Sequence, residues 1–135
     1  MGRILGIDHG DVRIGIAMSD ETEFLASPLT TVRNGKSAVD EIIALIKDHH
    51  IEKIVIGLPL NMDGSLGPAT EKVRMFSGKL SAKTNVPIFE NDERLTTVTA
   101  HHNLREAGLD GKKRKGVVDM AAAQVILQDW LDMQS

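Results

Sequence analysis

Three acidic residues are spaced so that a folded chain could bring their side chains to one point. Asp8 ends a short apolar run near the start of the chain, one acid among Glu90, Asp92 and Glu93 follows a later apolar run, and Asp119 precedes an alanine-rich segment near the end. Three converging carboxylates repel one another unless cations neutralise them. Oxygen-only ligands suit Mg²⁺ or Mn²⁺ rather than zinc, and a pair of such ions can activate water and stabilise the leaving oxygen in phosphodiester hydrolysis. One interpretation of the spacing is therefore a metal-dependent phosphodiesterase centre.

Each of the three acids also has an interpretation that involves no chemistry. Asp8 could accept backbone amides in a hairpin turn. The three acids over residues 90–93 could belong to a solvated loop with Arg94 as their local partner. Asp119 would lie in the first turn of a predicted helix, where the helix macrodipole favours an acid in any case. If the acids instead cluster at a metal site, removing one negative charge should stabilise the metal-free protein, because the remaining carboxylates repel one another less.

The elements that must position these acids alternate between strands and helices. Apolar runs predict five strands, over residues 3–8, 13–19, 27–32, 53–57 and 86–90. Apolar periodicity and capping residues predict helices after Ser37, over residues 69–83, from Thr96 or Thr97 to residue 107, and from about Val117, with a polar basic loop over 111–116. This order predicts an α/β fold with a mixed five-stranded sheet: an antiparallel three-strand meander plus two parallel strands, with helices on its faces. Ligands of such sheets gather at the carboxyl ends of the parallel strands, near the acids.

The composition limits the class of protein. The 135 residues are 41% hydrophobic and 26% charged, which is typical of a globular chain and predicts a single domain over residues 1–135. The absence of cysteine excludes disulfides, zinc–thiolate sites, iron–sulfur clusters and cysteine catalysis. No apolar stretch exceeds five residues, against about 18 for a membrane span, and no signal-peptide pattern opens the chain. We therefore expect a soluble, cytoplasmic protein that does not bind membranes.

The charge balance argues against indiscriminate binding of nucleic acid. The chain carries 16 basic and 19 acidic residues, for a net charge of −3. Proteins that coat nucleic acid are usually strongly basic, because the release of counterions drives their binding. Aromatic residues make up 3% of the chain, too few for a platform on which the bases of a single strand could stack. Neither observation excludes an enzyme whose carboxylates hold metal ions that meet a phosphate.

Four motifs in a fixed order resemble the YqgF/RuvX family across nearly the whole chain. They are residues 6–20, which contain Arg13-Ile14-Gly15, residues 55–64 (VIGLPLNMDG), residues 92–97 (DERLTT) and residues 115–122 (KGVVDMAA). The second and third motifs are too particular to arise by chance. The resemblance implies a ribonuclease-H-like fold and a nuclease, a hydrolase that acts on ester bonds.

The same resemblance implies roles for individual residues. It assigns catalysis and metal binding to Asp8, Glu93 and Asp119, with Mg²⁺ or Mn²⁺, as a pair of ions, for the cofactor. The family is associated with maturation of the 5′ end of pre-16S ribosomal RNA, which implies a part in ribosome biogenesis. Two alternatives remain: a Holliday junction resolvase that acts on DNA, and a non-catalytic nucleic-acid-binding module of ribosome assembly.

One position departs from the resolvases of this superfamily. Those enzymes carry a glutamate at the end of the fourth strand, whereas this chain has Gly57-Leu58-Pro59 there. The resemblance then implies that the acid comes from the segment after the fifth predicted strand. In that segment Asp92 competes with Glu93 for the role.

A second set of residues is expected to contact the nucleic acid: Arg13, Asn61, Arg94, Lys113, Arg114 and Lys115. The basic run over 112–115 could be a solvated loop, or it could bind phosphates beside the helix that carries Asp119. Residues 61–67 lack the lysine–serine/threonine ending of a P-loop, which favours a shaped turn beside the substrate over a nucleotide cradle. The expected partners are precursor ribosomal RNA or branched DNA, together with ribosomal precursor particles, and the protein is expected to be a monomer or a weak homodimer.

Overall fold

The structure is a computed structural model that describes residues 2–61, 63–93 and 112–134, the last segment with side chains from Val118 onward. The strands are β1 (Arg3–His9), β2 (Arg13–Ser19), β3 (Ala26–Arg33), β4 (Ile51–Leu58) and β5 (Ile88–Asp92). The helices are α1 (Ala38–Asp48), α2 (Pro68–Ser81) and α3 (Lys112–Gln134). The helix predicted to end at residue 107 lies outside the described residues.

The five strands form one mixed sheet in the order β3-β2-β1-β4-β5. β1, β2 and β3 form the antiparallel meander, while β4 pairs parallel to β1 on one side and to β5 on the other. The predicted mixed five-stranded sheet is therefore confirmed. Because β1, β4 and β5 run parallel, their carboxyl ends meet at one edge of the sheet, and Asp8 and Asp92 lie at that edge.

Alternation along the strands gives the sheet two buried faces. One face packs against α1 and α2 in a cluster that includes Leu5, Ile7, Ile16, Ile42, Ile56 and Phe76. The other face packs against α3 in a cluster that includes Ile4, Ala17, Val55, Ala123, Ile126 and Leu127. The central strands are covered on both sides, which explains why the sequences of β1 and β4 are nearly continuous apolar runs. In the part of the chain that the structure describes, none of the helices has the length and apolar composition needed to cross a membrane.

The face covered by α3 has glycines where the helix comes closest to the strands. A Cβ atom at Gly6 would lie 2.7 Å from the Cβ atom of Leu127, and one at Gly57 would lie 2.5 Å from Cδ1 of Ile126. A Cβ atom at Gly15 would overlap the backbone carbonyl of Asp119. Protein interiors are close-packed and tolerate no such overlap, so glycine at these positions sets how deeply α3 lies on the sheet.

β5 begins two residues later than the sequence predicts, at Ile88 rather than at residue 86. Pro87 has no N–H to donate to the sheet, and strands accept proline mainly at their ends. The amide of Val86 donates instead to the hydroxyl oxygen of Thr84, at 3.2 Å. The shift places Asp92 inside the strand and Glu93 directly after it.

α3 begins at Lys112, so residues 112–115 belong to its first turn and do not form the predicted loop. Lysine and arginine are good helix formers, and Gly116 inside a helix costs only about 1 kcal/mol relative to alanine. Asp119 is therefore the eighth residue of α3, beyond the first turn over which the macrodipole acts. The interpretation of Asp119 as a helix-start acid is wrong.

The buried face of α3 also differs from the predicted one. Val118, Ala121 and Val125 are apolar and lie at helical spacing with Ala122, Ile126 and Trp130, which predicts burial, but all three are partly exposed. The buried residues of the described part of the helix are Asp119, Ala122, Ala123, Ile126, Leu127, Trp130 and Leu131. These residues recur at helical spacing, which means that Asp119 continues the apolar stripe that α3 presses against the sheet.

Candidate active site

Asp8 lies between two glycines at the carboxyl end of β1. It is 3% exposed, and it pairs with Gly15 of β2 across the antiparallel ladder. On the other side, the parallel ladder with β4 pairs Ile7 with Ile56, so Gly57 is the next residue beside Asp8. Because side chains alternate between faces, Asp8 lies on the face that α3 covers. The two glycines leave the space around its carboxylate open to side chains from other elements.

Asp119 reaches this point from α3. Its backbone carbonyl lies directly against Gly15, and the residue is 1% exposed. The Nε atom of Arg13, which begins β2, donates a hydrogen bond to Oδ2 of Asp119 over 2.9 Å. The Arg13 side chain is 29% exposed, so this ion pair joins the solvent-facing rim of the site to its interior.

Glu93 approaches Asp8 from the other side, over β4. It follows β5 and is 6% exposed. Its Cγ and Cδ atoms lie 3.1 Å and 3.0 Å from the position that a Cβ atom of Gly57 would occupy. The preceding Asn91 holds this segment against the helix, because its side-chain amide donates to the carbonyl of Ile126 over 3.0 Å. Glycine at the end of β4 thus leaves the space that the Glu93 side chain fills.

Asp92 lies on the opposite face of the sheet. It pairs in register with Leu58, whose side chain belongs to the cluster beneath α1 and α2, whereas Asn91 pairs with Gly57 on the α3 side. Strand alternation therefore directs Asp92 away from Asp8. Of the two acids that compete in the sequence, Glu93 is the one that the fold directs toward Asp8.

The three carboxylates lie over a row of residues that crosses three strands. Adjacent strands are about 4.8 Å apart, so Gly15, Asp8 and Gly57 span roughly 10 Å across β2, β1 and β4. Asp119 lies over one end of this row, Asp8 lies within it, and Glu93 lies over the other end. We call this group of three acids the carboxylate site.

The chemistry of the carboxylate site fits a hard divalent cation. All three side chains offer only oxygen ligands, and all three residues are buried. In the arrangement described, no three Asp, Glu, His or Cys side chains among the described residues form a group that could hold a metal ion. Asp8, Glu93 and Asp119 would therefore have to draw closer together around an ion.

The residues predicted to contact nucleic acid fall into two groups. Arg13 binds Asp119, and the side-chain amide of Asn61 donates to the hydroxyl oxygen of Ser65 over 3.0 Å, within a turn that its own backbone closes. Arg94 lies outside the described residues, as do the side chains of Lys113, Arg114 and Lys115, although the backbone of these last three is helical. Contacts of all six residues with nucleic acid stay predictions.

Two features of the site were missed in the sequence. Gly15 and Gly57 belong to sequence motifs, but the motifs do not indicate that Asp119 and Glu93 lie in the space that the two glycines leave. Strand alternation places Gly15 and Gly57 on the same face as Asp8. Which groups fill the space beside the two glycines depends on how the elements pack. The pairing of Arg13 with Asp119 joins residues that are 106 positions apart, and no local pattern indicates it.

The whole described site lies within the part of the chain that matches a known protein family. The family model described as "RuvX: Holliday junction resolvase" matches residues 2–133. The chain belongs to the RuvX family. The YqgF/RuvX resemblance seen in the four sequence motifs is confirmed.

Similar RuvX-family chains come from diverse bacteria. One from Roseiflexus sp. (strain RS-1), named "Putative pre-16S rRNA nuclease", is 43% identical over 135 residues that cover 98% of this chain and 96% of the relative. Relatives of the same name come from Clostridioides difficile (strain 630), at 44% identity and the same coverage, and from Nocardioides sp., at 47% identity over 96% of this chain and 87% of the relative.

Solved structures of resolvases share the fold of this RuvX-family chain. T. thermophilus RuvC in complex with a Holliday junction substrate superposes with a TM-score of 0.60 at 16% identity, covering 99% of this chain and 96% of that one. Fowlpox virus resolvase in complex with Holliday junction DNA superposes with a TM-score of 0.57 at 9% identity, covering 98% of each chain. The predicted ribonuclease-H-like fold is confirmed.

We expect variants of this RuvX-family chain that lose the ion pair between Arg13 and Asp119 to be less stable than wild type. Replacing Arg13 with glutamine removes the cation from a buried carboxylate, which costs about 3–5 kcal/mol in a fully buried pair. Because water reaches the Arg13 side chain, we expect a smaller loss of about 1–2 kcal/mol. Thermal melts in the presence of a chelator should therefore show a lower Tm for Arg13→Gln, and for Asp119→Asn, than for wild type.

The control for this measurement is Arg74→Gln, which removes an exposed ion pair between Arg74 of α2 and Glu90 of β5. Exposed pairs contribute little, so its Tm should stay close to that of wild type. An Asp119→Asn variant that melts above wild type would show instead that repulsion among the three acids outweighs the attraction of Arg13, as the sequence alone suggests.

Proposed function

We propose that this chain is a metal-dependent nuclease that hydrolyses phosphodiester bonds of precursor 16S ribosomal RNA, in the processing of its 5′ end. The observation that carries the proposal is the placement of three buried acids, from β1, the end of β5 and α3, on one face of the sheet at one edge. Burial of three acids in one place is unfavourable unless cations neutralise them. Support for the substrate comes from the relatives, which are named for pre-16S rRNA.

The proposed roles follow from the position of each acid. Asp8 and Glu93 would hold a pair of Mg²⁺ or Mn²⁺ ions, and Asp119 would complete the ligand set from α3. When bound, such ions activate the attacking water and stabilise the leaving oxygen in an in-line displacement. The chain itself positions the carboxylates, because Gly15 lets the backbone of Asp119 approach β2, Gly57 leaves room for the Glu93 side chain, and the sheet fixes Asp8.

Cleavage of branched DNA is the second candidate function. The family model is described as a Holliday junction resolvase, and two solved structures with the same fold contain Holliday junctions. The likeness to those structures, at 16% and 9% identity, concerns the fold. A resolvase also needs two active sites related by a two-fold axis, whereas we propose that this chain acts in the cytoplasm on ribosomal precursor particles as a single domain, a monomer or a weak homodimer.

One incubation separates the two substrates. Pure protein, Mn²⁺ and a labelled segment spanning the 5′ end of precursor 16S RNA would be set beside a labelled four-way DNA junction, with Asp8→Asn as the inactive control. We expect cleavage of the RNA by wild type and none by Asp8→Asn. Cleavage of the junction alone would favour the resolvase, and equal products from wild type and Asp8→Asn would show a contaminating nuclease.

A non-catalytic ribosome-assembly module remains the alternative from another class. Calorimetric titration with Mn²⁺ tests it without any substrate. A nuclease with the proposed ligand set should bind Mn²⁺, and Asp8→Asn should bind it at least tenfold more weakly, since each lost ligand removes a strong interaction. Identical titration curves for the two proteins would favour the non-catalytic module.

A further inference from the structure

A cleft opens at the same edge of the sheet as the carboxylate site, on the opposite face. It has a volume of about 230 Å³ and lies between the turn after β1 and the exposed side of α2. We call it the His9 cleft; it is lined by His9, Asp11, Asn34, Lys72, Met75, Phe76 and Lys79. His9 follows Asp8 in the chain, so the cleft begins one residue away from the carboxylate site.

Polar contacts of Asn34 and ring packing of His9 hold the floor of the His9 cleft. The side-chain amide of Asn34 donates to the carbonyl of Gly10 over 2.8 Å and lies 3.2 Å from Nε2 of His9. The His9 ring packs against the ring of Phe76, with centroids 4.9 Å apart. Burial lowers the pKa of His9, although the nearby Asp11 and Asp8 oppose the shift and Lys72 adds to it. The basic side chains that line the cleft are Lys72 and Lys79.

The rim of the His9 cleft carries two lysines on one side of α2. Lys72 and Lys79 are seven residues apart, which is two helical turns and about 10 Å along the helix. Lys72 forms an exposed ion pair with Asp11 over 3.3 Å, a contact that contributes little and that another anion could replace. Met75 lies between the two lysines and is 65% exposed, so an apolar surface runs along the rim.

We propose that the His9 cleft binds the sugar–phosphate backbone of the nucleic-acid strand that leaves the carboxylate site. The inference rests on the proposed function, which places a scissile phosphate at the adjacent end of the sheet. Small-molecule sites usually enclose about 300–1,000 Å³, so a cleft of this size suits part of a long strand better than a whole free ligand. A chain with a net charge of −3 must also attract phosphates through local groups of cations, and Lys72 and Lys79 form such a group.

The test is the affinity of Lys72→Gln/Lys79→Gln for labelled precursor RNA and for a labelled four-way DNA junction, measured by fluorescence anisotropy in chelator over a series of salt concentrations. Each lost phosphate contact lowers the slope of log K against log salt by about 0.7 for single strands and about 0.9 for duplex DNA. We expect the double variant to bind roughly tenfold more weakly than wild type near 0.1 M salt, with a slope smaller by about 1.4 to 1.8.

The matched control removes two lysines at the opposite end of the sheet. Lys47 lies in the last turn of α1 and Lys53 lies near the start of β4, so Lys47→Gln/Lys53→Gln changes the net charge equally and should bind nearly as wild type does. An equal loss of affinity in both double variants would show an effect of net charge and overturn the proposal. Unchanged affinity and slope in Lys72→Gln/Lys79→Gln would overturn it as well.

Two further outcomes complete the test. A shift in molecular mass by light scattering for Lys72→Gln/Lys79→Gln, with unchanged affinity for nucleic acid, would make the cleft a protein–protein contact and overturn the proposal. A wild type that binds neither strand would overturn it too. Failure of the proposed function shows separately, in the cleavage comparison of wild type with Asp8→Asn, because that comparison involves no change in the His9 cleft.

Discussion

Glu93→Gln should lower the rate of RNA cleavage by about 1,000-fold, whereas Asp92→Asn should retain a rate within about threefold of wild type. The loss for Glu93→Gln corresponds to about 4 kcal/mol of transition-state stabilisation, the scale expected when one ligand of a catalytic metal ion is removed. Glutamine has nearly the same shape as glutamate, so the side chain should still fill the space over Gly57. The two neighbours should differ because Asp92 pairs with Leu58 on the other face of the sheet.

Initial rates with Mn²⁺ and labelled precursor RNA measure both variants, and thermal melts verify that each is folded. The melts matter because Glu93 is 6% exposed, and a defect in folding would also reduce activity. A large loss of activity in Asp92→Asn with an unchanged Tm, together with an active Glu93→Gln, would reverse the assignment of the ligand. Equal losses of activity in both variants would mean that Asp92 and Glu93 contribute equally to cleavage.

Gly15→Ala should destabilise the protein and reduce cleavage together. The new Cβ atom would overlap the carbonyl oxygen of Asp119, and the Cα atom of Asp119 would lie only 3.2 Å away. Both are backbone atoms, so the strain can be relieved only if α3 or β2 shifts. Overpacking of this kind costs about 1–3 kcal/mol, which for a chain of this length lowers Tm by roughly 4–10 °C. A helix shift of about 1 Å misplaces Asp119, and such misplacement can reduce catalysis about 100-fold.

Gly78→Ala is the matched control for this substitution. Gly78 lies inside α2, and nothing comes within 4 Å of the position that its Cβ atom would occupy. Alanine in place of glycine within a helix stabilises by about 0.5–1 kcal/mol, so its Tm should rise slightly and its activity should stay at the wild-type level. A Gly15→Ala variant that melts like wild type would show that α3 does not lie as close to β2 as described.

The sequence by itself determined the sheet and most of its elements. Alternation and apolar runs gave β1 to β4 to within two residues at each end, because the side chains of a strand report directly whether its two faces are buried. The same patterns gave α1 and α2, whose buried residues recur at helical spacing. The motifs that carried the family resemblance were equally local, and the family is confirmed. The sequence also singled out Asp8, Glu93 and Asp119, through the predicted elements and the family resemblance, and their role in catalysis stays a prediction.

The tertiary structure decided which of these residues meet. The choice between Asp92 and Glu93 depended on the register of β5 against β4, which pairs Asp92 with Leu58 and Asn91 with Gly57. The environment of Asp119 depended on where α3 begins and on a partner, Arg13, that is 106 residues away in the chain. Local patterns record whether a residue is buried, but the partner of a buried group is set by how separate elements pack. Gly15 and Gly57 show this most clearly, since the absence of a side chain has a meaning only when the group that occupies the space is known.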